Sequence, residues 1–169
     1  MTLTYKTKNG RTVSVTENQI KKHQSQMTAD ELLYLAKKLF EIYPNIHKGK
    51  NWHLKNRIDT GAISTERYKN IIKEGKLPLK IVEYNETLNY YGIDHRVVVR
   101  SEKAEYVTYH PGKTEEVTGW ANLCFVVSLD TGEIVTSYYN GANDNHSSLN
   151  VRRYDENLQI IKEEETIAC

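Results

Sequence analysis

Residues 49–58, "GKNWHLKNRI", set His53 and Arg57 four positions apart, with Lys50 and Lys55 beside them. Four residues is about one helical turn, so on a helix both side chains point the same way. An imidazole titrates near neutral pH and can give or take a proton, while a guanidinium fork matches two oxygens of a phosphate. Together they suit phosphodiester chemistry. The same residue types also suit a solvated helix face, and spacing alone does not choose between the two.

A second set of candidates lies in strand-like segments. In "DHRVVVR" (94–100) the period of two puts Arg96, Val98 and Arg100 on one face and His95, Val97 and Val99 on the other. Two arginines around a valine do not suit a dry core, so that face is expected to open to solvent or to an anion. In "EIVTSYY" (133–139), strict alternation groups Ile134, Thr136 and Tyr138 opposite Val135, Ser137 and Tyr139. Thr136 and Tyr138 can donate to a phosphate oxygen, and a tyrosine ring can stack on a base.

His95 and His146 are candidates for a second proton-transfer group. Lys50, Lys55 and Lys73 are expected to contact phosphates, and Arg100 joins them. "NDNH" (143–146) has oxygen and imidazole donors, but lacks the glycine and distal glutamate of a calcium loop. It reads as a polar loop. His110, before Pro111 and Gly112, reads as a turn histidine, and His23 and His47 carry no further signal. Trp52 and Trp120 read as core or rim anchors rather than base-stacking platforms.

Signatures of other chemistries are missing. The chain has no glycine-rich phosphate-binding motif, no dinucleotide fingerprint, no nucleophile elbow and no HExxH. Its two cysteines, Cys124 in an apolar run and Cys169 at the end, make neither a disulfide framework nor a zinc spacing. No metal and no cofactor are expected.

The elements that must position these residues follow from periodicity. "TYKTKNGRTVSVT" (4–16) reads as a hairpin turning at Asn9-Gly10. "TADELLYLAKKLFEIYP" (28–44) reads as a helix with a Thr28/Glu31 capping box, an apolar stripe of Leu32, Leu35, Ala36, Leu39 and Ile42, and Pro44 as its stop. Short helices are expected around 51–58 and over 64–75, where Ser64 caps and Gly75 follows the last turn. From Pro78 onward, strands are expected at 79–84, 94–100, 105–110, 121–129 and 133–139, the last two joined through Asp130-Thr131-Gly132. Helices followed by a run of strands make an α+β domain, with N-terminal helices packed on a mainly antiparallel, curved sheet.

A charged fraction of 27% and an apolar fraction of 38% are those of a globular domain. One domain over 1–169 is expected: a hairpin and helix extension (1–45), a core (46–140), and a loop with a C-terminal segment (141–169). The longest apolar run, "LCFVV", is far short of a membrane span, and "MTLTYKTKNGRT" is no signal peptide, so a cytoplasmic protein is expected. The net charge of +1 hides an asymmetry: residues 1–80 carry +9 and residues 81–169 carry −8. The basic half suits a polyanion, or else the halves neutralise each other.

The order of these pieces is more specific than any one of them. A helical His-x-x-x-Arg is followed by a helix ending at Gly75 and the strand "LKIVEY". Then come the arginine strand "HRVVVR" and the strand–turn–strand "LCFVVSLDTGEIVTSYY". Over roughly residues 50–140 this resembles the metal-independent ribonuclease superfamily of barnase, EndoU, the tRNA-cutting colicins and RelE, with its phage-encoded and toxin members. The resemblance implies an endoribonuclease that cuts RNA through its 2′-OH. It matches His53 and Arg57 to a helix pair, Arg96 to a strand arginine, and Thr136 with Tyr138 to a late-strand polar pair. RNA is then the expected partner, with a cognate inhibitor or host protein as a further one. The alternative is a non-catalytic, phage- or mobile-element-encoded binding or inhibitor protein that uses the same surfaces.

Overall fold

A computed structural model describes residues 3–6, 12–15, 19–48, 80–89, 92–110, 114–146 and 153–161. Strands β1 (Leu3–Lys6) and β2 (Thr12–Val15) pair antiparallel, as the hairpin pattern requires. Strand β3 (Gln19–His23), which alternation does not mark, precedes helix α1 (Ala29–Ile42). Thr28 caps α1 as expected: Glu31 N–H donates to Thr28 Oγ1 at 3.1 Å, and Thr28 N–H to Glu31 Oε1 at 3.0 Å. The helix gives way to a 3-10 turn over Tyr43–Asn45, where Pro44 sits.

The main sheet runs in the order β3-β5-β6-β8-β9-β4, with β5 (Lys80–Asn89), β6 (Gly92–Arg100), β8 (Val117–Ser128), β9 (Glu133–Gly141) and the two-residue β4 (His47–Lys48). Strand β7 (Glu105–Tyr109) pairs with the first half of β8. All pairings are antiparallel except β4 with β9. The fold is α+β. Beyond the free edge of β3, the C-terminal segment makes a parallel bridge: Lys21 N–H donates to Arg153 O and Asp155 N–H to Lys21 O.

One sheet face meets α1. Leu35 and Leu39 pack there with Ile81, Val97, Val99, Leu123, Phe125, Val127 and Ile134, and Leu129 packs at the margin. Leu123, Phe125, Val127 and Leu129 share one parity along this stretch. Ala36, placed on the apolar stripe, is exposed instead. Lys22 reaches from β3 to this side. Its Nζ lies 2.9 Å from Glu31 Oε2 and donates to Leu158 O at 3.1 Å, so a buried ion pair ties strand, helix and C-terminal segment together. Burial pushes the Glu31 carboxyl up, but the Thr28 N–H and the Lys22 ammonium outweigh it and hold the group below its usual range.

The opposite face mixes polar residues with a small apolar cluster of Val82, Val98 and Cys124. Directly opposed residues of an antiparallel pair share a face, so the registers put His23, Glu83, Val98, Val126 and Thr136 in one row across it. Asn85, Arg96 and Ser128 form the next row. Two corrections follow. A bulge at Val135 turns Ile134 to the helix side, so it does not share a face with Thr136 and Tyr138. Arg100 shares its face with Arg96, as alternation requires, but it is buried rather than open to solvent. Four residues distant in sequence explain this: it donates to the oxygens of Asn122, Gly141, Ala142 and Asp144.

Candidate functional site

A sheet face without a helix over it can afford polar residues only if they satisfy each other. Glu83, 1% exposed, is the centre of such a group. Tyr154 donates its hydroxyl to Glu83 Oε2, and Lys21 Nζ from the neighbouring strand lies 3.1 Å from Oε1. On the far side, His146 Nδ1 lies 3.9 Å from Oε2. His146 Nε2 is in turn paired with the Tyr138 hydroxyl, and the two rings stack with centroids 5.5 Å apart.

This arrangement orients an imidazole between a hydroxyl and a buried carboxylate. Burial holds the His146 imidazole below the usual histidine range, against the pull of Glu83, so the ring is neutral at neutral pH. The consistent tautomer has Tyr138 donating to Nε2 and the Nδ1 proton facing Glu83. A neutral, oriented imidazole beside a hydroxyl is a base ready to accept a proton. Nδ1 makes no hydrogen bond among the described residues, so Glu83 acts on it through charge at 3.9 Å.

The loop that carries His146 is held from two sides. Arg100 Nη1 donates to Asp144 O at 2.6 Å and Nη2 to Gly141 O at 2.8 Å. His23, 1% exposed, accepts the Ser25 N–H at Nδ1, which leaves Nε2 to donate to Asn145 O at 3.0 Å. His146 itself has φ +59, a left-handed conformation that costs about 1–3 kcal/mol in a non-glycine residue and gathers at functional sites. Its N–H donates to Asp144 Oδ1 at 2.9 Å, which helps to hold that conformation.

Of the residues singled out by sequence, Arg96, Arg100, Thr136, Tyr138 and His146 converge on this face. Tyr138 and His146 touch. Thr136 lies one row along β9, and its hydroxyl is buried and makes no hydrogen bond among the described residues. Arg96 is two strands away and one row further along, about 12 Å from Thr136 by strand spacing and rise and farther from Tyr138. Its Nε donates to Asp94 Oδ2 at 2.6 Å, and Ser128 Oγ donates to the other Asp94 oxygen. His95 lies on the other face, its Nδ1 3.0 Å from Asp130 Oδ2. His53, Arg57, Lys50, Lys55 and Lys73 lie outside the described residues.

Sequence reading missed Glu83, Lys21, His23 and Tyr154. Glu83 sits in "KIVEYN", where a charged residue inside an apolar strand was the available signal. His23 and Tyr154 come from segments whose composition is that of loops, and only the fold makes them neighbours. Among the described residues no group of three or more His, Cys, Asp or Glu side chains is placed to hold a metal ion. No helix among them is long and apolar enough to cross a membrane.

The class defined by this geometry is an α+β domain whose open sheet carries a cluster of Glu83, His146 and Tyr138 on the face away from its helix. Comparison with family models, curated proteins and solved structures returns no match for the chain.

Proposed function

We propose that the protein is a metal-independent endoribonuclease of the cytoplasm, with His146 and Tyr138 as its proton-transfer pair. The observation that supports this reading is the pairing of Tyr138 with a neutral His146 above buried Glu83, on the face that also bears Thr136 and Arg96. In the reaction, the ribose 2′-oxygen attacks phosphorus and gives its proton to the Tyr138 hydroxyl, which passes its own proton to His146 Nε2. The 5′-oxygen leaves with a proton, and the products are a 2′,3′-cyclic phosphate and a 5′-hydroxyl. His53, matched by resemblance to the helix histidine of the superfamily, is the candidate for the acid.

Charge builds on the phosphoryl oxygens in the transition state. The Thr136 hydroxyl, which has no hydrogen-bond partner among the described residues, and the Arg96 guanidinium, whose Nε donates to Asp94, are the groups on this face that suit that charge. Arg100 does not belong to this group, because its Nη donors are spent on Asn122 and on the loop.

Incubating the protein with total RNA in EDTA tests the reading. Fragments ending in 2′,3′-cyclic phosphate are expected from the wild type. His146→Ala and Tyr138→Phe should slow cleavage by roughly 10²–10⁴-fold, the usual contribution of a proton-transfer group. RNA left intact by the wild type overturns the proposal.

A further inference from the structure

We infer that Tyr138 is a nucleophile, with His146 as its base and Glu83 as the carboxylate that orients the base. Its Oη attacks phosphodiesters that lack a 2′-OH and forms a covalent phosphotyrosyl bond; the substrate class rests on the ribonuclease reading. A hydroxyl becomes a nucleophile when a base lies within hydrogen-bond reach and a third group orients that base. Here the Tyr138 hydroxyl donates to His146 Nε2, and His146 Nδ1 faces Glu83 Oε2 at 3.9 Å. Glu83 is itself anchored by the Tyr154 hydroxyl and by Lys21 Nζ at 3.1 Å.

The surroundings single out this tyrosine. Its ring packs against Val82, Val98 and Cys124 and stacks on the His146 ring, so the hydroxyl is held at the base. The ring is partly rather than fully buried, as a group that meets a substrate must be. Burial keeps His146 neutral, which leaves Nε2 able to take a proton. Tyr84 and Tyr154 instead donate to the carboxylates of Glu86 and Glu83. Burial and the Glu86 charge push the Tyr84 hydroxyl far above its usual range. Tyr106 is 65% exposed, but its ring meets Trp120 and no base.

The step balances within the site. The Oη–phosphorus bond forms as the bond from phosphorus to the leaving oxygen breaks. The Tyr138 proton moves to His146 Nε2 and from there to the leaving oxygen. Thr136, two residues along the same face of β9, has a buried hydroxyl with no hydrogen-bond partner among the described residues, which suits the charged phosphoryl oxygens. On RNA the neighbouring 2′-oxygen attacks first or displaces Tyr138 afterwards, because an intramolecular nucleophile has an effective molarity of about 10⁵–10⁸ M. Both routes end in the cyclic phosphate. Without a 2′-OH that exit is closed, and the phosphotyrosyl bond accumulates.

The test uses two probes that differ only in the 2′-OH, the p-nitrophenyl 3′-phosphodiesters of deoxyuridine and of uridine. Nitrophenolate leaves without a proton, so its release reads the attack alone. The deoxyuridine probe should give a burst of one nitrophenolate per chain, and peptide mapping should place the nucleotide on Tyr138 out of twelve tyrosines. The uridine probe should be turned over to its 2′,3′-cyclic phosphate with no adduct. His146→Ala should slow the burst roughly 10²–10⁴-fold, and Tyr106→Phe should leave it unchanged. The mapping is done on the wild type, so it does not depend on any variant folding. No adduct, or an adduct on the more exposed Tyr106, overturns the inference, and if the uridine probe is still turned over the ribonuclease reading stands alone. An adduct on Tyr138 with the uridine probe never turned over keeps the nucleophile and removes the ribonuclease.

Discussion

The hydroxyl of Tyr154 donates to the buried carboxyl of Glu83, joining the C-terminal segment to β5 across 71 positions of sequence. Glu83 keeps Lys21 on its other oxygen, so removing Tyr154's hydroxyl leaves a buried group half satisfied. Tyr154→Phe should cost about 1–3 kcal/mol of stability. For a domain of this size each kcal/mol lowers the melting temperature by about 2–4 °C, which calorimetry will read. A melting temperature equal to that of the wild type would show that the contact contributes nothing to folding.

His146 gives stability a defined pH dependence. Its folded-state pKa lies below the 6.5 of an exposed histidine, so as pH falls the unfolded chain takes up the proton first. The His146 contribution is therefore fully present above about 6.5 and is lost as pH drops from there toward the folded-state value. Urea titrations from about pH 8 to 5 should show this slope in the wild type and a shallower one in His146→Asn. Equal slopes in the two proteins would place the proton elsewhere.

Arg100 is expected to be irreplaceable by lysine. Its planar fork serves Asp144 O, Gly141 O and Asn122 Oδ1 at once, and a single ammonium cannot span all three. Arg100→Lys should lose about 2–4 kcal/mol. Amide exchange at His146 and Asp144 should speed up more than at Val97 or Phe125, and uniform exchange changes would contradict a local role in holding the loop.

Gly132 closes the β8–β9 turn with φ +80, and a Cβ placed there would lie 2.6 Å from Asn45 O. Both the backbone conformation and the close approach require glycine. Gly132→Ala should destabilise by about 1–3 kcal/mol or more, seen as a lower urea midpoint. It should also loosen β4, whose His47 N–H donates to Gly132 O.

Cys124 is buried, and burial pushes its thiol up to about 12. The thiolate is the reactive form, so iodoacetamide should not modify Cys124 in the native protein. Peptide mapping should find the adduct there only after denaturation.

How much of this was legible in the sequence varied with the kind of signal. Thr28 and Glu31 announced the helix start because a capping box is local chemistry. Leu123, Phe125 and Val127 announced the core by parity alone. Strand β3 was not legible: "QIKKH" has one apolar residue, and its burial rests on Lys22 finding Glu31 and His23 finding Asn145. Such pairings override propensity and exist only once the chain has folded. Thr136 and Tyr138 were found as donors, whereas Glu83 was not, because its partners Tyr154 and Lys21 are distant in sequence. His95 misled for the simplest reason: its neighbour Arg96 faces the site, so His95 must face away.

The bulges at Val82 and Val135 have a consequence for how the sheet can change over generations. Each inserts one residue opposite none, in β5 between Ile81 and Glu83 and in β9 between Ile134 and Thr136. Each is thus a phase boundary: the stretch before it and the stretch after it keep their own odd–even rhythm. Losing Val135 would leave Ile134 facing the helix and Thr136 facing the polar side, since the flanking residues then alternate as in an unbroken strand. One-residue deletions are ordinarily ruinous in a central strand. Here the half that packs and the half that carries reactive groups are free to drift separately.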